Sequence, residues 1–396
     1  MSRAAFLCVP HYGHIIPNIE LLLELKKQGE EIICFSIDGY TDIFTKNGFE
    51  TCEYEAGFRE ELQNNRHSPK SIADFIMMIV NFISFFHSIA KKNFERVKEV
   101  NPDYIIYDYF GGWGKLIAET LGVFDVCCNE GLVITDEMFF KYPHFYLDYF
   151  FGIDKSSYEH FGREQIVRYF HVLMKSYKFG SLFNLTNSDH LNIVHSCSEI
   201  NPFSNELPAK YKFIGVQNEQ DAYQEVFLNN DRPIIYITQG SDPAPEYKDW
   251  IDVFIKLFRN NSDYNTVISS GFLGDNSYKK INNMVIGSRF NQANILKHAS
   301  LFISHGGLTG IKEAMSEGVP VIVTANNSSG KIIEHHQVGC CFKGETDNNF
   351  IIENINKVIN DKEIKRNCEA LKRKFHEGGG VSTACEAIFK LTRKGE

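Results

Sequence analysis

Between Leu301 and Met315 the chain reads LFISHGGLTGIKEAM. A short apolar, β-prone run ends in His-Gly-Gly and passes directly into residues of helical composition, so the segment predicts a strand, a tight glycine turn and a helix N-terminus. A turn of this kind leaves backbone N–H groups outside the helical ladder, beside the positive end of the helix dipole. That arrangement holds a phosphate or pyrophosphate, and glycines let the ligand's oxygens come close to the backbone. Glu313 lies eight residues beyond His305, roughly two helical turns on, where a carboxylate can meet sugar hydroxyls. The spacing is neither that of a Walker loop nor that of the G-x-G-x-x-G fingerprint.

The rest of the chain repeats this strand-to-helix logic. In the first half, Ala4–Val9, Glu31–Ser36 and Tyr104–Tyr107 read as strands, with Leu191–His195 as the last of this half. Ile15–Gln28, Ser71–Val100 and Lys115–Leu121 read as helices between them. A second alternation starts at Arg232-Pro233. It predicts strands at Ile234–Thr238, Thr266–Ser269, Met284–Ile286, Leu301–Ser304 and Val319–Thr324, with a helix at Trp250–Phe258. Short connections between alternating elements imply parallel sheets covered by helices. The polar stretch 215–231 reads as a linker, Lys357–Lys374 as one solvated helix, and Ser382–Leu391 as a final helix after Gly378-Gly379-Gly380. The expected fold class is therefore α/β, as two doubly wound domains: 1–214 and 232–380, with 381–396 as a terminal helix. Ligands of such sheets sit at the carboxyl ends of the strands.

Composition excludes several functions. The net charge is −9, with 41 basic and 50 acidic residues and no basic block, so nucleic acid is not an expected partner. Ten cysteines occur without a C-x-x-C spacing, which predicts a reducing, cytoplasmic setting. The apolar run 4–9 is too short for a signal sequence. The stretch Phe75–Phe86, interrupted by Asn81 and Ser84, reads as too short to cross a bilayer.

Four segments in order resemble the family 1 glycosyltransferases of the GT-B fold, of the bacterial macrolide type. They are Pro10-His11-Tyr12-Gly13-His14-Ile15-Ile16-Pro17, Pro102-Asp103-Tyr104-Ile105-Ile106-Tyr107-Asp108, PFSNELPAKYKFIG over 202–215, and Gln292 through Val323 with HGGLTGIKEAMSEGVPVIV. The resemblance implies two Rossmann-like domains facing across a cleft, the first binding an acceptor and the second a nucleotide sugar. It implies inverting transfer from a UDP- or TDP-linked sugar to a hydroxyl, without a metal or other cofactor. His14 matches the general base and Asp108 the carboxylate that orients it. Gly240, Ser241, Arg289, Phe290, Gln292, His305, Gly306, Gly307, Leu308, Thr309, Gly310 and Glu313 match nucleotide-binding positions. Asn326, Asn327 and Ser329 fall where the transferred sugar is held. The resemblance also implies that the terminal helix returns to the first domain.

The chain departs from the family pattern at three places, one of them Thr309-Gly310, which replaces the commoner Asn-Ser. Arg289 stands where a base-stacking aromatic is usual; a guanidinium plane stacks on a base as well. Ser329-Gly330 replaces an acidic-amide pair that binds sugar hydroxyls, which implies either a different sugar, such as a deoxy or amino sugar, or another side chain in the pair's place. The aromatic-rich segment 139–177 suits the wall of a site for a flat, lipophilic acceptor, with Phe140 and Tyr146 as contacts, and equally suits plain core packing. The expected partners are two small molecules, with the chain a monomer or weak homodimer. Two other readings keep the fold: a non-catalytic nucleotide-sugar-binding or accessory protein, and a nucleotide-sugar 2-epimerase, which His14 with Asp108 disfavours.

Overall fold

Alternate residues of the first strand face opposite sides of a sheet: Ala4, Phe6 and Cys8 enter one apolar core, and Ala5, Leu7 and Val9 enter another. A strand buried on both faces reads as a continuous apolar run, the mark of a parallel sheet between two helix layers. The computed structural model describes all residues except 1, 65–68, 178–181, 218–231, 241–247, 260, 262, 272, 274–277, 325–327, 343–346 and 394–396. It divides into two units, Met1–Gln217 with Gly378–Glu396, and Asn218–Glu377.

Unit 1 holds strands β1 (Arg3–Leu7), β2 (Glu31–Ser36), β3 (Glu50–Glu53), β4 (Tyr104–Asp108), β5 (Phe124–Asn129), β6 (Leu191–Val194) and β7 (Tyr211–Phe213). They form one sheet in the order β3-β2-β1-β4-β5-β6-β7, and every pairing is parallel. Strand order reverses between β1 and β4, so a crevice opens there at the carboxyl ends. The strand at Leu191–Val194 is not the last of its half, because Tyr211–Phe213 adds an edge beyond it. Three-residue β7 and the exposed-ended β3 carry too little apolar pattern to be read as strands.

The long helix Ile72–Val100 starts at a capping box, with Ser71 accepting from the Asp74 N–H and Asp74 accepting in return from the Ser71 N–H. It is 29 residues long. Unlike the shorter stretch read from sequence, it is long and apolar enough to cross a membrane by length and composition. Its Phe75, Ile79, Ile83, Phe86, Ile89 and Val97 recur at helical spacing and pack in the core with Tyr107, Trp113 and Phe139.

The final helix, Gly380–Thr392, places Ala384, Cys385 and Ile388 in the core beside Ile15, Ile19 and Leu22. Gly378 lies so close to the Ile214–Gly215 backbone that a Cβ would sit 2.5 Å from a carbonyl carbon. Arg393 Nη2 then donates to Glu30 Oε1 at 2.7 Å, and the Tyr104 hydroxyl donates to Glu30 Oε2 at 3.1 Å.

Unit 2 holds β8 (Ile234–Thr238), β9 (Asn265–Ser269), β10 (Tyr278–Ile281), β11 (Met284–Gly287), β12 (Leu301–Ser304), β13 (Val321–Val323) and β14 (Gly339–Cys341). The order is β10-β11-β9-β8-β12-β13-β14, with reversal between β8 and β12. All pairs are parallel except the β10–β11 hairpin, which turns through Asn282 at φ +51°. The span read as one solvated helix is two, Asn348–Asn360 and Lys362–His376. Asp361 separates them, its side chain accepting from the Glu363 and Ile364 N–H groups. That carboxylate is a better N-cap than a mid-helix residue.

Replacing Arg393 by Ala leaves the buried Glu30 carboxylate without its cation. Because the arginine is 39% exposed, the expected loss is about 1–2 kcal/mol, less than the ~3–5 kcal/mol for breaking a fully buried pair. Urea unfolding of Arg393→Ala against the parent chain measures it.

Candidate active site

Both groups of residues singled out in the sequence stand at the two places where strand order reverses. In unit 1, β1 leads to His11, which caps the helix Tyr12–Lys27 by accepting from the Gly13 N–H at 3.2 Å. His14 lies in the first turn of that helix. Asp108 ends β4, level with Cys8 because Leu7 pairs with Tyr107. Asp108 Oδ1 accepts from His14 Nδ1 at 3.1 Å and from the Phe110 N–H at 2.8 Å, and Oδ2 accepts from the Val9 N–H. The carboxylate is fully buried, while 19% of the His14 side chain is exposed. A carboxylate takes protons and gives none, so His14 donates from Nδ1 and carries its lone pair on Nε2.

The ring of His14 stacks on Tyr109 at a centroid distance of 5.8 Å and meets Phe110 edge-on at 5.6 Å. A second buried carboxylate, Glu130, follows β5. The His14 ring nitrogen and one oxygen each of Asp108 and Glu130 lie within 4.8 Å of one another, ligand types able to hold a metal ion. Burial, aided by the Glu130 and Asp108 charges, pushes the Tyr109 hydroxyl well above its ordinary range. The Cys8 thiol is raised in the same way, by burial and then by Asp108. Both stay protonated.

In unit 2, β12 delivers His305-Gly306-Gly307 to the helix Leu308–Ser316. Thr238 pairs with Ser304, so the segments leaving β8 and β12 emerge side by side. Gly240 has φ +80°, and a Cβ there would sit 2.8 Å from the His305 ring. Gly306 has φ +107°, and its N–H donates to Ser304 Oγ at 3.2 Å. The helix has no side-chain cap at Gly307, and its first intrahelical donor is the Ile311 N–H. The N–H groups of Leu308, Thr309 and Gly310 therefore precede the ladder, as an anion site requires.

Glu313, in the same helix, accepts from Gln292 Nε2, and Gln292 Oε1 accepts from the Tyr236 hydroxyl at 3.1 Å. These bonds bring Gln292 and Glu313 together. Arg289 is half-buried at the end of β11, and Phe290 beside it is buried. Ser329 is buried and donates to the Gly306 carbonyl at 2.8 Å, so its hydroxyl braces the glycine turn. Ser241, Asn326 and Asn327 lie outside the described residues.

The aromatic segment divides. Tyr146 is fully buried and packs against Phe139 and Phe203, a core position. Phe140 is half-buried and stacks on His171 at 4.7 Å. Aromatic spacing alone does not separate the two roles. Glu130, Asn18 and His195 complete the unit 1 site and carry no motif that sequence reasoning could use.

The sequence profile described as "Glycosyl transferases group 1" matches residues 246–375. The "Uncharacterized UDP-glucosyltransferase YojK" of Bacillus subtilis (strain 168) is 23% identical, covering 100% of this chain and 98% of that protein. The "NDP-glycosyltransferase YjiC" of Bacillus licheniformis is also 23% identical, over 98% and 97%. Among solved structures, CalG4, the calicheamicin glycosyltransferase, superposes with a TM-score of 0.78 at 17% identity, covering 100% and 99%. The fold is that of the GT-B glycosyltransferases, and the matched relatives carry nucleotide-sugar glycosyltransferase names. Within that class, the resemblance to the bacterial macrolide-type enzymes read from the four segments stands.

Gly240→Ala forces both backbone strain and displacement of the His305 ring. Its expected effect is at least a tenfold loss of nucleoside diphosphate affinity, read by calorimetry. Burial lowers the proton affinity of His305 below the usual imidazole range. The unfolded chain then binds the extra proton, so stability rises with pH and is lost as pH falls through about 6.5. Thermal melts from pH 7.5 to 5.5 are expected to show this slope, reduced in His305→Gln.

Proposed function

We propose that this chain transfers a sugar from a nucleoside diphosphate sugar to the hydroxyl of a small acceptor, with inversion and without a metal. The observation that carries the reading is the His14–Asp108 pair: a partly exposed imidazole whose Nδ1 is held by a buried carboxylate at a strand-order reversal. His14 Nε2 takes the proton of the acceptor O–H as that oxygen bonds to the anomeric carbon. The bond from the anomeric carbon to the diphosphate oxygen breaks, and its electron pair leaves with the nucleoside diphosphate. Asp108 keeps the imidazole in the productive tautomer and balances the charge it gains.

The turn Gly306–Gly310 would receive the charge developing on the diphosphate through backbone N–H groups and the helix dipole, the task a cation performs elsewhere. Asp108 has both oxygens committed to N–H donors, which favours its service as an orienting group over metal ligation. The names of the relatives, UDP-glucosyltransferase and NDP-glycosyltransferase, support a nucleotide-linked donor. The half-buried Phe140 beside His171 favours an apolar or aromatic acceptor.

The test is turnover of UDP- and TDP-linked sugars against phenolic and polyketide-type acceptors, with donor hydrolysis followed in parallel. His14→Ala is expected to lower transfer about 10²–10⁴-fold while nucleoside diphosphate affinity is unchanged. EDTA is expected to leave the rate as it was. Wild-type turnover in His14→Ala, or loss of activity in EDTA restored by a divalent cation, contradicts the mechanism.

A further inference from the structure

The helix that carries His14 contains a proline in its second turn. Pro17 lies inside it and supplies no N–H, so the Gly13 carbonyl loses its helical partner one residue before His14. The next side chain, Asn18, is fully buried. Its Nδ2 donates to the His14 carbonyl at 2.8 Å and also to Glu130 Oε1. Both partners are acceptors only, so the amide orientation is settled and Oδ1 faces His195 Nε2 at 3.1 Å. His195 is therefore the donor in that bond, protonated on Nε2.

Glu130 follows β5 and His195 follows β6, and both are buried. The His195 N–H donates to the Asn129 carbonyl at 2.9 Å, fixing the two strand ends together. Four neighbouring strand ends thus act on one helical turn. Those of β1 and β4 hold the His14 ring through the Val9 N–H and Asp108. Those of β5 and β6 hold its backbone through Glu130, His195 and Asn18.

We infer that Asn18, Glu130 and His195 form a positioning relay that fixes the His14 backbone, so that the ring stays aligned on Asp108 where Pro17 leaves out one helical hydrogen bond. Glu130 and Asn18 are positioning residues, acting through His14. The inference rests on the proposed role of His14 as base.

The test uses the full chain and isosteric substitutions. Asn18→Asp removes the donor to both acceptors and sets a carboxylate against Glu130. It is expected to lower kcat about thirtyfold, with the KM for the nucleotide sugar and the affinity for the nucleoside diphosphate within twofold of the parent. Adding Glu130→Gln restores one donor–acceptor bond with its polarity reversed, and is expected to recover at least fivefold of that loss. An unchanged kcat in Asn18→Asp, or a double variant no better than the single one, overturns the relay.

A readout independent of turnover separates this from the base assignment. In protein labelled with ¹⁵N-histidine, NMR is expected to show His195 protonated on Nε2, and His14 as one tautomer in the parent chain and as a mixture in Asn18→Asp. Unaltered His14 signals in that variant refute the relay whether or not transfer occurs. Wild-type turnover in His14→Ala with altered signals in Asn18→Asp refutes the base assignment alone.

Discussion

The carboxylate of Asp108 joins two segments of unit 1 that lie far apart in the chain. It receives the Val9 N–H leaving β1, the Phe110 N–H leaving β4 and the Nδ1 of His14. Buried with no exposed surface, a carboxylate persists only when such donors replace its water. The same bonds that make its burial tolerable also shape the crevice and present the imidazole with one nitrogen occupied. Stability and orientation are supplied here by one group, so the site cannot be loosened without disturbing the sheet ends that frame it.

Unit 2 reaches a comparable result by exclusion of side chains. Gly240 and Gly307 both lie against the His305 ring, where a Cβ would come within 2.8 and 3.1 Å. Ser329 ties down the Gly306 carbonyl from another helix. The turn is held by crowding and by the buried hydroxyls of Ser304 and Ser329, while its first helical N–H groups are left outside the ladder. Unit 1 concentrates polar side chains, and unit 2 removes side chains to expose backbone. The contrast suits one site that handles a proton and another that handles an anion.

Strands buried on both faces were legible: Glu31–Ser36, Ile234–Thr238 and Leu301–Ser304 read from sequence with the bounds the structure gives them. Edge strands such as Tyr278–Ile281, with two lysines and an exposed face, carry no such run and escape the pattern. The His305 turn was legible from its local composition, whereas His14 and Asp108 were read through the resemblance to a known family. Glu130 and His195 were not, since sheet order alone brings them to Asn18 across more than a hundred positions of chain. The aromatic segment failed differently: Tyr146 and Phe140 share one periodic stretch, and burial rather than spacing assigns one to the core. Ser329 was read as facing a ligand, and its hydroxyl bond to Gly306 is a tertiary fact that composition does not encode.

The final helix gives unit 1 an unusual relation to the order of synthesis. Ala384, Cys385 and Ile388 belong to the core that Ile15, Ile19 and Leu22 also build, yet all of unit 2 is translated between them. A ribosome releases the first sheet long before the helix that seals one of its faces. Unit 2, continuous in sequence, can close as soon as it emerges, whereas unit 1 must wait with apolar surface uncovered. The half of the molecule that begins first is the half that finishes last.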